Sequence, residues 1–140
     1  MEHSIKNGLF KHTLEEKETF VAIKLFVNGW AVTDRLGNIK ETIRREDGRI
    51  QSSTWSAFFV EEEVKALRGG GVKEVHIQKE DGKEYVFTRD NGNYLLGSGV
   101  AVEGIESRKT LLVLPDELSP LDAMVFFAIF RLSEETAIVV

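Results

Sequence analysis

The stretch STWSAFFVEEEVKALRGGG, residues 53–71, separates two parts of the chain that each contain several strand-like segments. Ser53 or Thr54 can cap the first turn of a helix, and apolar side chains then recur at the i, i+3/i+4, i+7 spacing of one helix face. A basic side chain falls in the last turn, where the helix dipole favours cations, and three glycines follow. The pattern predicts a helix from Trp55 to Arg68 that ends the first half of the chain and begins the second.

Length, composition and charge narrow the class of protein. The chain has 140 residues, which is the usual size of a single domain, and it contains no cysteine. The lack of cysteine excludes disulfides, thiol nucleophiles and cysteine-ligated metals. The net charge of −5 disfavours nucleic acid as the main partner, because its phosphates would be repelled. The polar N-terminus and the short apolar runs predict a cytoplasmic protein without a membrane partner.

The chain before the predicted helix divides into an arm and a series of strands. Residues 1–17 lack periodicity, which predicts a flexible N-terminal arm, and residues 18–140 are expected to form one domain. From Phe20 onward apolar and polar residues alternate as in a half-buried strand. Asn-Gly at positions 28–29 predicts a hairpin turn in which Leu25 faces Val32 across the two strands.

A second hairpin carries most of the basic residues of this half. Asp47-Gly48 forms its turn and joins two short strands. In the expected register Arg45 opposes Ile50 on the core side, so Arg44 lies on the other face.

The second half repeats the order of elements. Strands are expected from Val72 onward, with an interruption at Gly97 and Gly99. Ser119-Pro120 then provides a cap and a first-turn proline for an apolar helix over residues 121–131. The halves therefore span about residues 18–71 and 72–132.

Together these elements predict an α+β fold in which antiparallel β-meander sheets pack against two helices, in the order ββββα-ββββα. In element order, over about residues 20–131, this arrangement resembles the Whirly and PUR-type nucleic-acid-binding folds. No family motif matches residue by residue, so no functional residue is transferred. The resemblance implies single-stranded nucleic acid as an alternative ligand.

No catalytic or metal-binding constellation stands out. The three histidines lack HxH or HExxH spacing, and consecutive carboxylates such as Glu61 to Glu63 point about 100° apart on a helix. We therefore predict a non-enzymatic protein without metal or cofactor. An enzyme whose site is assembled from scattered Asp, Glu, Ser and Lys side chains stays open as a third hypothesis.

Two groups of residues are candidates for binding a partner. The first combines the cations of the basic hairpin with a nearby aromatic residue, as single-strand binders do. Acidic residues dilute this charge and favour a solvated sheet face, with a protein-docking site and a nucleic-acid site as the alternatives. The second lies in the apolar C-terminal helix, which is either core or an interface for a partner or a second copy. The candidate residues are Lys40, Arg44, Arg45, Arg49, Trp55, Phe126 and Phe127.

The function predicted from these features is that of a small adaptor or regulator that binds a larger protein assembly. Nucleic-acid-processing machinery of the transcription type is the expected kind of assembly, and homo-oligomerisation is a further expectation. Small acidic regulators are common among phage products, so a phage origin is one hypothesis. The alternative function is a single-stranded nucleic-acid-binding protein on a Whirly-like fold.

Overall fold

The computed structural model describes residues 1–16, 20–25, 29–61 and 71–137. Within these ranges the chain forms twelve β-strands and one α-helix. The strands are β1 (Glu2–Asn7), β2 (Lys11–Leu14), β3 (Phe20–Leu25), β4 (Gly29–Asp34), β5 (Ile39–Glu46), β6 (Arg49–Gln51), β7 (Trp55–Glu61), β8 (Val72–Lys79), β9 (Glu84–Asp90), β10 (Asn93–Leu96), β11 (Gly99–Glu103) and β12 (Lys109–Val113), and the helix is α1 (Pro120–Ala137). Each strand pairs with its neighbours in sequence, and β1 pairs with β12, so the antiparallel sheet closes into a barrel.

The helix α1 lies inside this barrel. All residues from Ala123 to Phe130 are buried, with exposures of 0–1%. Because successive helical residues point about 100° apart, an uninterrupted buried run of this length means that every side of the helix is covered. The helix contacts β3, β4 and β5 on one side and β8 on another. The barrel interior is therefore filled by the chain's own C-terminal segment.

Aromatic side chains make the main contacts between α1 and the barrel wall. Phe126 packs edge-on against Trp55 of β7, with ring centroids 4.9 Å apart. From the other side of the helix, Phe127 meets Trp30 of β4 edge-on at 6.1 Å. Edge-to-face contacts of this kind add to the apolar area that each ring removes from water. These pairs connect the helix to strands on two sides of the barrel.

The start of α1 is fixed by a reciprocal cap that also reaches the barrel wall. The Ser119 hydroxyl accepts a hydrogen bond from the Asp122 amide at 3.1 Å, and the Asp122 carboxylate accepts one from the Ser119 amide at 3.0 Å. The Trp55 indole N–H donates to the same carboxylate at 2.9 Å. The predicted start of this helix at Ser119-Pro120 is confirmed, and the helix continues beyond the predicted residue 131 to Ala137.

The other end of α1 is held by a buried polar network. Arg89 donates to the Glu134 carboxylate from Nε at 2.6 Å and from Nη2 at 3.1 Å. The Tyr94 hydroxyl donates to Glu134 at 2.5 Å and accepts a hydrogen bond from the Ser133 hydroxyl at 2.8 Å. Burial by itself would raise the pKa of Glu134, but the hydrogen bonds from Arg89 and Tyr94 lower it overall. The ionised carboxylate is thus compensated inside the barrel and joins the helix to β9 and β10.

The predicted α+β fold with two packing helices is wrong, and the central helix is its main error. Residues Trp55–Glu61 form strand β7, while residues 62–70 lie outside the described ranges. Trp55 and Ala57 are buried and alternate with half-buried Ser56 and Phe58. Because Phe59 and Val60 are also apolar, the alternation is not evident in the sequence. Pairing with β6 and β8 outweighs the local signals for a helix.

The division into ββββα halves and the flexible N-terminal arm are also wrong. The sheet is continuous, so the element order that resembled the Whirly and PUR-type folds is absent from the described chain. Within the predicted arm, β1 and β2 complete the barrel and bury Ile5 and Leu14 fully. Their inward positions also hold two histidines, His3 and His12, and these polar residues concealed the alternation in the sequence.

The two predicted hairpin registers have different outcomes. The basic hairpin is confirmed, since Arg45 pairs with Ile50. The first hairpin forms between β3 and β4, but Leu25 pairs with Gly29 instead of Val32, and residues 26–28 of its turn lie outside the described ranges. This odd-numbered shift reverses the faces of β3, so that Ala22 is the fully buried residue.

Replacing Phe127 by alanine is expected to lower the free energy of unfolding by about 3–5 kcal/mol, because the cavity left between α1 and β4 cannot collapse in a closed barrel. Urea denaturation followed by circular dichroism measures this loss. Val86→Ala on the outer surface is the control and should change stability by about 0.5 kcal/mol or less. A loss below about 1 kcal/mol for Phe127→Ala would contradict the interior position of the helix.

A histidine lies in the same aromatic region of the interior. The ring of His12 is 5.3 Å from that of Trp30 and 5.5 Å from that of Phe127, and its Nδ1 is 2.9 Å from the Asn7 side-chain oxygen. Burial, together with the nearby Arg131 guanidinium, lowers the pKa of His12 to about 4. The imidazole is therefore neutral in the folded protein at physiological pH.

This histidine predicts a loss of stability in mild acid. The unfolded chain binds a proton at His12 near pH 6.5 and the folded chain only near pH 4, so stability is complete above pH 6.5 and falls as the pH drops toward 4. The full difference is about 3 kcal/mol at 1.36 kcal/mol per pKa unit. Urea midpoints of wild type and His12→Gln between pH 7 and 4.5 measure it. Parallel pH profiles of the two proteins would contradict the assignment.

Candidate partner-binding face

The outside of the barrel from β5 to β8 carries a set of polar and aromatic side chains that line up across the strands. Pairing places Arg44 beside Gln51, Gln51 beside Ser56, and Ser56 beside Gln78. The intervening residues on β6, β7 and β8 are buried, so these side chains point away from the interior. We call this surface the outer face and define it by Arg44, Arg49, Gln51, Ser56, Phe58, His76 and Gln78.

An aromatic pair with a cation forms the centre of the outer face. The rings of Phe58 and His76 stack with centroids 4.5 Å apart and planes 17° from parallel. The guanidinium carbon of Arg49 lies 5.7 Å from the centre of the Phe58 ring. Guanidinium groups are attracted to the faces of aromatic rings at this distance. A cation, a phenyl ring and an imidazole therefore form one continuous half-exposed patch.

Two carboxylates orient the imidazole of this patch. His76 Nε2 is 2.9 Å from the Glu74 carboxylate, and Nδ1 is 3.2 Å from the Glu84 carboxylate. These contacts fix the plane of the ring against Phe58. They also place negative charge on the β8–β9 side of the outer face, while Arg44 and Arg49 place positive charge on the β5–β6 side.

An open groove adjoins the outer face where β6 and β7 meet the turn between β8 and β9. Its volume is about 330 Å³. The lining is rich in hydroxyl and amide groups, including Gln51, Ser53, Thr54, Ser56 and Gln78. Such groups donate and accept hydrogen bonds, as the backbone of an extended segment requires.

The structure places the four predicted cations in different surroundings. Arg44 and Arg49 lie exposed on the outer face. Lys40 is exposed near the start of β5, with Nζ 3.8 Å from the Asp34 carboxylate. Arg45 occupies an inward position at the end of β5, where its guanidinium carbon lies 5.7 Å from the Phe59 ring. The outer face therefore combines two of the four predicted cations.

The three predicted aromatic residues lie in the interior. Trp55 is 2% exposed, and Phe126 and Phe127 are fully buried. In this structure none of the three is accessible to a partner, and their contacts hold α1 in the barrel. The helix 121–131, for which core and interface were both open, is core.

Sequence reasoning missed Phe58 and His76. The predicted helix contains Phe58, and the spacing of the three histidines does not single out His76. The period-two pattern of β8, in which buried Val75 and Ile77 flank His76, was visible in the sequence. Its pairing with β7 was not visible, because β7 itself had been predicted as helix.

No protein-family model, curated protein or solved structure matches this chain. Across the described ranges, no three His, Cys, Asp or Glu side chains are grouped closely enough to hold a metal ion. Among the same residues, no helix has the length and apolar character needed to cross a membrane.

Proposed function

We propose that this protein is a non-enzymatic adaptor that binds an acidic segment of a larger protein assembly on the outer face. The observation that carries the proposal is the exposed guanidinium of Arg49 against the stacked rings of Phe58 and His76. Arginine and aromatic residues are enriched among the residues that contribute most to protein interfaces. Here they occur together on a regular sheet surface, where the fold alone does not require them.

The chemistry of the outer face favours a carboxylate-bearing protein segment. Arginine binds carboxylates through two parallel hydrogen bonds, and Arg44 and Arg49 lie on neighbouring paired strands. The adjoining groove offers amide and hydroxyl groups to the backbone of the same segment. An acidic, extended peptide with an apolar residue near Phe58 matches these three features.

The use of the interior supports a binding role over an enzymatic one. Closed barrels that bind small ligands commonly hold them in the lumen. In this chain the lumen contains α1, whose residues from Ala123 to Phe130 are buried. The groove beside the outer face is open to solvent. This openness suits a macromolecular partner better than a reaction that must exclude water.

Single-stranded nucleic acid stays the second candidate, because the contact between Arg49 and Phe58 also suits the binding of phosphates and bases. Several features rank it lower. The topology that resembled the Whirly fold is absent from the described part of the chain, and the net charge of −5 opposes a partner that carries one phosphate per nucleotide. Phe58 also already stacks on His76.

Arg44→Glu is expected to weaken partner binding at least tenfold, equivalent to about 1.4 kcal/mol. The same variant should change the free energy of unfolding by about 0.5 kcal/mol or less, because Arg44 is exposed. A partner captured from host extract is labelled, and its affinity is measured by fluorescence anisotropy. Arg35→Glu, in the exposed turn after β4, is the matched control and should bind like wild type.

The same assay with a labelled single-stranded oligonucleotide separates the two candidates. The adaptor proposal expects weak binding that changes little between 50 and 200 mM salt. Tight binding that falls steeply with salt would replace the adaptor by the nucleic-acid binder. Equal partner affinity for wild type and Arg44→Glu would remove the outer face from both proposals.

A further inference from the structure

The turn between β1 and β2 exposes two large apolar side chains. Leu9 is 87% exposed and Phe10 is 76% exposed. The turn is tight, since the Gly8 amide donates to the Lys11 carbonyl at 2.8 Å. We call Leu9 and Phe10 the β1–β2 tip.

The fold does not explain the residue types at the β1–β2 tip. The two residues at the end of a tight hairpin are usually Gly, Asn or Asp, which suit the turn backbone and interact well with water. The exposure of Leu9 and Phe10 to water does not stabilise the turn. Neighbouring apolar residues at such exposure are typical of an interaction surface.

Basic side chains flank the β1–β2 tip. Lys6 and Lys11 are exposed on β1 and β2, next to the turn.

The loop between β11 and β12 lies beside the turn, because the Asn7 amide donates to the Arg108 carbonyl at 2.8 Å. Arg108 and Lys109 are exposed there, and Glu106 of the same loop offsets part of their charge. Glu15 also lies near this cluster, 3.5 Å from Lys109. The surroundings of the tip thus carry a net positive charge.

The opposite end of the barrel has the complementary features. An open recess of about 740 Å³ lies where β1 begins and where the chain passes from β12 to α1. Since β1 runs from this recess to the β1–β2 tip, the two features lie at opposite ends of one strand. The apolar part of the lining consists of Met1, Phe20, Leu118 and Pro120. We call this site the end recess.

Carboxylates line the end recess. Glu16 is 41% exposed, Asp116 is 89% exposed and Glu117 is 48% exposed. The Met1 amino group lies 2.7 Å from Asp116, and Lys83 lies 2.8 Å from Glu117. Glu16 lies 3.5 Å from His3 Nδ1, and all three carboxylates stand at the exposed rim of the recess.

The carboxylate of Glu117 is ionised over the whole physiological range. Hydrogen bonds from Lys83 and then from Tyr85 lower the pKa of Glu117 to about 2. The end recess therefore keeps this charged carboxylate at neutral pH.

We propose that the end recess of one molecule receives the β1–β2 tip of a second copy of this chain. The tip is apolar with a positive surround, and the recess is apolar with exposed carboxylates at its rim, so the two surfaces are complementary in apolar character and in the charged groups that surround it. A contact between two different surfaces at opposite ends of one molecule does not close on itself by two-fold symmetry. The expected assembly is therefore a linear, head-to-tail series and not a symmetric dimer.

Sedimentation velocity of the 140-residue chain tests this proposal. The mean mass of wild type should rise continuously with concentration, and association should weaken at 0.5 M salt. Leu9→Ser with Phe10→Ser removes the tip, and Glu16→Lys with Asp116→Lys reverses the charge of the recess. Each double variant alone should be monomeric, with association weakened at least tenfold.

Mixing the two double variants gives the sharpest result. The tip-deficient protein keeps an intact recess and the recess-deficient protein keeps an intact tip, so their mixture should form a one-to-one complex that grows no further. A complex in the mixture also shows that both variants are folded. Leu36→Ser, the same substitution at an 88% exposed leucine in another turn, is the control for Leu9 and should associate like wild type.

Three outcomes would overturn the proposal. Wild type that stays monomeric up to 1 mM, or that stops at a dimer, has no head-to-tail contact. An equal loss of association for Leu36→Ser indicates unspecific apolar contact. A monomeric chain that binds anionic phospholipid vesicles through Leu9 and Phe10 assigns the tip to a lipid surface. The outer face lies elsewhere on the barrel, so Arg44→Glu should leave self-association unchanged. If the head-to-tail contact does not form, the adaptor proposal is not affected.

Discussion

The burial of an apolar helix inside a closed sheet is the constraint on which the rest of this structure depends. A helix as apolar as residues 121–131 cannot be left in water, and a barrel of this size cannot be left empty. Each element removes the apolar surface of the other. Because Phe126 and Phe127 contact different walls, the loss of helix packing affects the whole barrel and not one sheet.

Polar contacts at the two ends of the helix determine how it is oriented in the barrel. Apolar packing is largely non-directional, whereas a buried carboxylate needs its donors in one place. Asp122 finds the Trp55 indole at one end, and Glu134 finds Arg89 and Tyr94 at the other. A rotation or shift of α1 would leave the Trp55 indole and the Glu134 carboxylate buried without partners, which makes the observed position specific.

The parts of the fold that the sequence predicted correctly are those governed by local interactions. The helix start at Ser119-Pro120 and the Asp-Gly hairpin around residues 47–48 involve residues a few positions apart. The strand β7 was missed because its identity depends on partners far away in the chain, and its local signals favoured a helix. The closure of the barrel depends on the pairing of β1 with β12, and no local pattern shows that pairing. On the candidate face, Arg44 and Arg49 were found through their hairpin, whereas Phe58 and His76 meet only after β7 and β8 pair.

The occupied interior has a consequence for how such a protein can bind. The buried apolar positions of the described strands belong to the core that contains α1, so variation for recognition is confined to outward positions and turns. The outer face and the β1–β2 tip are both of this kind, and they do not overlap. Copies joined end to end through the tip would present the outer face repeatedly along one assembly. Repetition raises the effective concentration of each weak site, so a modest patch such as that around Arg49 and Phe58 can hold a partner that also repeats its acidic segment.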